Sequence, residues 1–256
     1  MNLEINGPRI WFEIPVGNIT IPITDTAVSS FIVMVLLCTL CVVLGRNLTK
    51  RPGKRQVIVE KVVSMLYNMV SETMGAHNMK FAPYIGALFA SSVLGSLIST
   101  TGVFRSSTAD LSTTATWAIM TTLIVWGSNI RENGFLGWLK GFTEPVVVMT
   151  PMNLISELAS PVSMAFRHFG NIVGGSVLTT LLYHALAVAS SFVLGWIPNA
   201  FFSSIPIFQV GIPAVLSLYF DFFSGAIQAL VFCMLSMVYI GTANPPREEK
   251  TEESKS

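Results

Sequence analysis

Three charged residues stand alone in the long apolar second half of this chain. Glu157, Arg167 and Asp221 carry the only formal charges between Val147 and Pro246. A charge inside a membrane-spanning helix costs at least about 2.5 kcal/mol on insertion scales, so such residues mark ion or substrate paths by default. Because an arginine stays protonated at any accessible pH, Arg167 supplies a fixed cation within this stretch.

Polar side chains flank Arg167 at the spacing of one helix face. Ser163 and Asn171 lie four residues before and four residues after it, so the three share a face. A second predicted face near the end of the chain collects small and polar residues: Ser217, Asp221, Ser224, Gly225 and Gln228. Two polar faces on neighbouring helices predict a hydrated groove between them.

The three charges are expected at different membrane depths if the two helices run in opposite directions. Glu157 precedes Arg167 by ten residues, which is about 15 Å along a helix on the cytoplasmic side. Asp221 is expected about 10 Å to the outer side of Gln228, which would lie near the level of the arginine. A carboxylate at each depth with a cation between them is what an ion path with two entrances requires.

Composition places the chain in the lipid bilayer. Of its 256 residues 52% are hydrophobic and 11% are charged, whereas soluble domains carry roughly one-quarter charged residues. The net charge of +1 gives no sign of nucleic-acid binding. Cys38, Cys41 and Cys233 lie in apolar runs and are expected to be small buried hydrophobes rather than disulfides or metal ligands. No metal or cofactor is predicted.

The first half of the chain predicts three crossings and one surface helix. Thr26 to Gly45 is long enough to cross a hydrocarbon core of about 30 Å. The residues 54–75 have the pattern of an amphipathic helix lying at the cytoplasmic surface. The runs Phe81–Phe104 and Ala115–Ile130 predict a hairpin of two further crossings. The positive-inside rule places the N-terminus outside, because a basic cluster follows the first span: Arg46, Lys50, Arg51, Lys54 and Arg55.

The second half divides at a loop rich in glycine and proline between Gly195 and Pro213. The two segments, of about 35 and 30 residues, exceed a perpendicular crossing and are expected to be long and tilted. The sequence thus predicts an all-α integral membrane protein with about five crossing helices and one amphipathic surface helix. Its predicted divisions are an outer segment 1–25, a first span with surface helix 26–75, an ion-translocation domain 76–243 and a disordered cytoplasmic tail 244–256.

Four segments carry a resemblance to a known family. SPVSMAFRHFGNIVGG, at 160–175, resembles the signature of the ATP synthase subunit a family of bacterial F-type enzymes. IQALVFCMLSMVYIG, at 227–241, resembles the closing helix of that family. TADLSTT and TEPVVVMTPMNLISELASP resemble its loop before a spanning helix and its approach to the arginine helix. The resemblance extends from about residue 80 to residue 243.

The resemblance implies a non-catalytic stator subunit, multi-pass in the cell membrane, with its C-terminus in the cytoplasm. Such a subunit carries H⁺ or Na⁺ beside a rotor ring of subunit c, has subunit b of the peripheral stalk as a partner, and leaves ATP chemistry to other subunits. Arg167 corresponds to the essential arginine of the family, and three polar residues correspond to its serine, asparagine and glutamine: Ser163, Asn171 and Gln228.

Two carboxylates are expected to complete the path, Glu157 in its inner half and Asp221 in its outer half. Ser176 stands where many relatives carry a carboxylate or a histidine. Asp221 is therefore expected to serve the outer half either alone or together with water and His184.

A secondary ion-coupled transporter is the alternative, because it uses similar intramembrane charges. Transporters, however, show inverted repeats and paired broken helices, which this sequence does not show. An intramembrane protease is disfavoured because HExxH, GxSxG and paired-aspartate motifs are absent. A purely structural scaffold would not need Arg167.

Overall fold

The computed structural model describes residues 10–16, 19–46, 48–50, 52–100, 105–144, 146–194 and 219–246. These residues form two strands and six α-helices: β1 (Ile10–Val16), β2 (Ile19–Thr24), α1 (Asp25–Gly45), α2 (Lys54–Met74), α3 (Ala82–Thr100), α4 (Leu111–Gly141), α5 (Thr150–Leu194) and α6 (Gly225–Ala243). A π-helix, Tyr219–Ser224, leads directly into α6. The prediction of an all-α membrane protein is confirmed, with one small β-hairpin added to it.

Within the described residues, four helical stretches are long and apolar enough to cross a membrane: Asp25–Gly45, Ala76–Ser99, Val147–Phe192 and Phe222–Ala243. They coincide with four of the predicted crossings. The remaining predicted crossing, Ala115–Ile130, lies within α4, which is less apolar because threonines and asparagines interrupt its hydrophobic residues. The amphipathic helix predicted over 54–75 is α2.

The β-hairpin precedes α1 and was not predicted. Its strands pair antiparallel, with Ile14 opposite Ile21 and Val16 opposite Ile19. Each strand contains a proline, and a proline is disfavoured in a central strand because it cannot donate a ladder hydrogen bond. In a two-stranded hairpin, however, both strands are edges, so Pro15 and Pro22 are tolerated where they stand. β2 ends at Thr24 and α1 begins at Asp25 without a linker.

The packed core lies where α3 and α6 meet and where α2, α4 and α5 lean against them. Its fully buried side chains include Val70, Ile85, Met237 and Ile240. Gly225 allows α6 to approach α3 closely, since a Cβ atom built on it would lie 2.6 Å from Ser96 Oγ and 2.9 Å from Ser96 Cβ. A glycine is therefore required at this helix crossing.

α4 and α5 form a helical hairpin beside this core. α5 has 45 residues, about 68 Å on a helix, so it greatly exceeds a perpendicular crossing and contains Pro161 within it. α4 is broken at Gly134, whose φ of 73° and ψ of 165° are not helical. The short piece after the break, Phe135–Gly141, turns back toward the start of α5.

α1 stands at the edge of the molecule, and most of its apolar side chains are exposed. Cys38 and Cys41 are among the exposed ones, whereas Cys233 on α6 is buried. The expectation that all three cysteines are buried is therefore wrong for the first two, because an apolar residue on an edge helix of a membrane protein faces outward. The predicted loop Gly195–Pro213 and most of the predicted cytoplasmic tail lie outside the described residues.

Candidate functional site

Arg167 and His168 are neighbours on α5 with opposite surroundings. The Arg167 side chain is exposed, as is that of Ser163 one turn earlier. His168 is 1% exposed. Since successive residues on a helix point about 100° apart, one face of α5 meets the core while the next is left open. The cation therefore lies on a surface of this chain and not inside it.

His168 ties α5 to the core. Its Nε2 lies 3.1 Å from the hydroxyl of Ser92 on α3. Its ring makes edge contacts with Trp117 of α4 and Phe232 of α6, at centroid distances of 6.0 and 5.5 Å. The histidine thus touches three neighbouring helices, which is a packing arrangement and not a route to the Arg167 face.

Asn171 joins α5 to the π-helix. Its Nδ2 donates to the backbone carbonyl of Ser224 at 3.3 Å, and Ser224 Oγ donates to Asn171 Oδ1 at 3.0 Å. The π-helix contains Asp221. The structure thus brings the segment that contains Asp221 against the helix of the arginine, through a side chain one turn beyond Arg167.

The other predicted site residues are spread along α5 and α6. Gln228 is 8% exposed and lies among the buried residues of α6, so its surroundings differ from those of the exposed Arg167. Ser176 and His184 are exposed on α5, at about 14 and 26 Å beyond the arginine along the helix. The described contacts bring neither of these two residues together with Asn171.

Glu157 is held by a residue that the sequence did not single out. The indole Nε1 of Trp126, on α4, donates to Glu157 Oε1 at 2.6 Å. A hydrogen bond to a charged acceptor is short and about twice as strong as a neutral one. Glu157 is half-buried, and the bond fixes its carboxylate across the α4–α5 hairpin.

Two cavities meet at Glu157. The mid-helix cavity, of about 180 Å³, lies between α4, α5 and α6 and is lined by Thr121, Asn129, Glu157 and Tyr239 among others. The loop-side cavity, of about 430 Å³, lies nearer the α4–α5 connection. Its polar lining includes Asn129, Asn133, Asn153 and Glu157. Asn129 and Glu157 belong to both cavities, so they form the wall between them.

Pro161 adds a backbone acceptor to the same place. A proline inside a helix has no N–H, so the carbonyl four residues earlier loses its helical partner. That carbonyl belongs to Glu157, and Pro161 itself lines the mid-helix cavity. Glu157 therefore contributes two kinds of oxygen, a carboxylate and a carbonyl that the helix does not use.

The opposite end of α4 is capped by Asp110. Its Oδ1 accepts from the backbone N–H of Ser112 at 3.0 Å, and its Oδ2 accepts from Thr26 Oγ1 of α1 at 2.9 Å. Partial burial raises the pKa of Asp110, but the hydrogen bonds from Ser112 and Thr26 outweigh it and hold the pKa below its ordinary value. Asp110 thus caps one helix and ties it to another.

Sequence reasoning missed Trp126, the role of Pro161 and the partner of Asn171. A proline four residues after a carboxylate on a predicted helix was a signal for the freed carbonyl. Trp126 gave no such signal, because it is an ordinary residue for its helix and acts through a contact across the fold. Asn171 and Ser224 were each placed on a predicted polar face, but the hydrogen bonds between them were not predicted. In the described part of the chain no cluster of three or more metal-ligating side chains is present.

Comparison with known proteins identifies the family. Residues 27–241 match the family described as ATP synthase A chain. The protein named ATP synthase subunit a, sodium ion specific, of Propionigenium modestum is 32% identical, over 92% of this chain and 84% of the relative. ATP synthase subunit a 1 of Crocosphaera subtropica is 32% identical over 90% of this chain and 91% of its own. ATP synthase subunit a of Moorella thermoacetica is 30% identical over 86% of this chain and 90% of the relative. The match spans most of the chain and carries the arginine helix, and the chain belongs to the ATP synthase A chain family.

Proposed function

We propose that this chain is the stator subunit that forms two ion half-channels against the rotor ring of an F-type ATP synthase. It couples the flow of H⁺ or Na⁺ to rotation of a ring of subunit c, and it is braced by subunit b of the peripheral stalk. It makes and breaks no covalent bond itself, since the nucleotide sites lie on other subunits. Its N-terminus lies outside the cell membrane and its C-terminus in the cytoplasm.

The exposed position of Arg167 carries the proposal. A guanidinium in a membrane helix needs an anion or water, and the Arg167 side chain is exposed on this chain together with Ser163 and Gly174 of the same helix face. An exposed guanidinium within the membrane is stabilised by a partner protein that places carboxylates at the depth of Arg167. A rotor ring whose subunits each carry one carboxylate supplies that partner.

The mechanism follows from the order of charges along the path. An ion entering from outside passes Asp221 and neutralises a ring carboxylate, which can then turn into lipid at a lower desolvation cost. When that carboxylate approaches Arg167 again, the fixed cation favours its ionised form, and the ion leaves inward past Glu157. Arg167 also separates the two half-channels. One charge crossing about 100 mV releases roughly 2.3 kcal/mol, and several ions per turn add up to useful torque.

The relative from Propionigenium modestum is named as sodium ion specific, which keeps Na⁺ beside H⁺ as the ion carried here. The residues 76–243 form the ion-translocation domain in this proposal. Asn171 supports the outer half-channel by holding the segment of Asp221 through Ser224. Ser163 is assigned to the exposed polar lining beside Arg167 and Gln228 to the buried polar face of α6, while Ser176 and His184 are assigned to the outer part of α5.

The test is ATP-driven ion pumping by the assembled complex in vesicles with Arg167→Ala. We expect pumping to be lost while the ring still copurifies, because Arg167 is the one lysine or arginine between Val147 and Pro246 and is the fixed cation that separates the two paths in this proposal. Arg55→Ala, on the exposed surface of α2, is the matched control and should pump like the wild type. Coupled pumping that is unchanged in Arg167→Ala contradicts the proposed mechanism, whereas a wild-type chain that does not copurify with a ring restores the secondary transporter as the leading function.

A further inference from the structure

We propose that Trp126 is a positioning residue for the inner half-channel, which holds the Glu157 carboxylate at the junction of the two cavities of the α4–α5 hairpin. The occupant of this junction is a small cation on its way from the cytoplasm, either a hydronium ion or Na⁺. The inference rests on the proposed function and deepens it, because it places the inner entrance within this chain and not only along its border with the ring.

The linings of the two cavities suit a hydrated cation. Glu157 is the residue in either lining that carries a formal charge, and the other polar groups are amides and hydroxyls. Amide and carboxylate oxygens are the ligands that small hard cations prefer. The loop-side cavity is also large enough for a cation that keeps part of its water shell.

Asn153 shapes the opening of the loop-side cavity. Its Nδ2 donates to the carbonyls of Phe142 and Glu144, at 3.0 and 3.2 Å. These bonds fix the chain where α4 ends and the connection to α5 begins. The opening is therefore preformed, so a cation that enters it does not have to order a loop.

The indole of Trp126 is itself held in place. Its ring lies 5.9 Å from that of Trp138, which packs edge-on against Phe142 at 5.0 Å. Trp138 stands on the piece of α4 beyond the break at Gly134, so the break brings this aromatic support back beside Trp126. A donor with a fixed ring leaves the Glu157 carboxylate one orientation, with its second oxygen free for the cation.

The Glu157 carbonyl that Pro161 leaves unused extends the junction toward the mid-helix cavity. A cation leaving the carboxylate finds this carbonyl next along α5, in a cavity that reaches Thr121 and Met164. Met164 is one turn before His168 and close to the level of Arg167. The mid-helix cavity, which shares Asn129 and Glu157 with the loop-side cavity, thus extends from the Glu157 carboxylate toward the depth at which the ring carboxylate is expected.

The test compares Trp126→Phe, Glu157→Gln and the double variant in whole complexes in vesicles whose nucleotide sites face the bulk solution. The bulk solution is then on the cytoplasmic side of the complex. The rate of ATP-driven pumping is measured at a series of Na⁺ concentrations at fixed pH, and at a series of pH values without Na⁺. The series in which the pumping rate of the wild type rises with the concentration of the cation identifies the cation that is carried. Trp11→Phe, an exposed tryptophan of the β-hairpin, is the matched control and should leave pumping unchanged.

We expect Trp126→Phe to raise the half-saturating concentration of the driving cation by about tenfold, the effect of one hydrogen bond to a charged group, with the saturated rate within about twofold of wild type. The double variant should equal Glu157→Gln, because Trp126 acts through that carboxylate. An unchanged half-saturating concentration in Trp126→Phe, or losses that multiply in the double variant, would overturn the proposal.

Two features keep the result interpretable. The half-saturating concentration does not depend on how much complex assembles, so a partial loss of assembly in Trp126→Phe leaves the readout intact. If the wild-type complex does not pump, or Arg167→Ala pumps normally, the proposed function fails. If both behave as expected and Trp126→Phe has no effect, only the role of Trp126 fails.

Discussion

The α3–α6 pair and the α4–α5 pair have similar small and polar residues but use them differently. Nine of the 19 residues of α6 are buried, whereas α5, with 45 residues, has four buried residues in its described part: Met164, Ala165, His168 and Ser190. Gly225 and Ser96 bring α6 against α3. On α5, glycines at the same kind of spacing leave the space in front of them open. A small residue therefore closes a helix crossing in one pair and keeps a surface free for a partner in the other.

Gly225→Val should show the largest difference between the two pairs. The new side chain would overlap Ser96, and overpacking of this kind costs about 1 to 3 kcal/mol or more. Gly174→Val on α5 is the matched control, since a Cβ there has no atom within 4 Å. We expect Gly225→Val to lower the amount of folded chain in membranes, and Gly174→Val to leave that amount unchanged.

Copurification of the ring sharpens this comparison. If α5 docks on the ring, Gly174→Val should weaken copurification although the chain itself is stable. Equal losses of folded chain in the two variants would show that α5 is as tightly packed as α6, and the contrast between the pairs would be wrong.

Gly134→Ala should have an intermediate effect, confined to the α4–α5 pair. The φ of 73° and ψ of 165° at Gly134 belong to a backbone region that is essentially restricted to glycine, and a residue with a Cβ is disfavoured there by about 1 to 3 kcal/mol. Gly127, earlier in the same helix, has open space where a Cβ would lie. Gly127→Ala should therefore raise the free energy of unfolding by about 0.5 kcal/mol. Thermal unfolding of the purified complex measures both. If the Gly134→Ala complex is as stable as the Gly127→Ala complex, this result would contradict the break of α4 at Gly134.

Asp110→Asn should have the smallest effect, and it should depend on pH. Because the pKa of Asp110 in the folded chain lies below its ordinary value, its charge stabilises the fold above about pH 4, and this contribution is lost as pH falls through the folded pKa. The side chain is largely solvated, so the difference should be roughly 0.3 kcal/mol. Asparagine keeps the helix cap.

The measurement is the midpoint of thermal unfolding for both proteins between about pH 3 and pH 7. The wild type should be slightly more stable near neutrality, and the two curves should converge at the acid end. A constant gap across this range would mean that the charge of Asp110 plays no part in joining α1 to α4.

The sequence predicted those features that depend on local pattern. α1 and α2 begin and end within a residue or two of their predicted bounds, because twenty apolar residues or a clear amphipathic period specify a helix without help from neighbours. The arginine helix was predicted for the same reason, together with the face shared by Ser163, Arg167 and Asn171. The site roles assigned to these residues remain predictions.

The features that were not predicted depend on contacts between distant segments. Trp126 reaches Glu157 across 31 residues and Ser224 reaches Asn171 across 53, and no local pattern marks such pairs. The break at Gly134 lies beyond the predicted crossing Ala115–Ile130, where no helix was predicted. The β-hairpin lies in residues that were assigned only to an outer segment, and its pairing joins two short runs rather than following one local period.

The adjacency of Arg167 and His168 has a mechanical consequence. A turning ring pushes sideways on the helix that it touches, and the stator must pass that force on without yielding. The ring would exert this force at Arg167. His168 packs between the rings of Trp117 and Phe232 and fixes α5 to the neighbouring helices. One planar peptide unit separates the two. Arg167, which would contact the ring, is thus adjacent to His168, which anchors α5. The stiff backbone between them would keep the guanidinium in position while the ring exerts force on it.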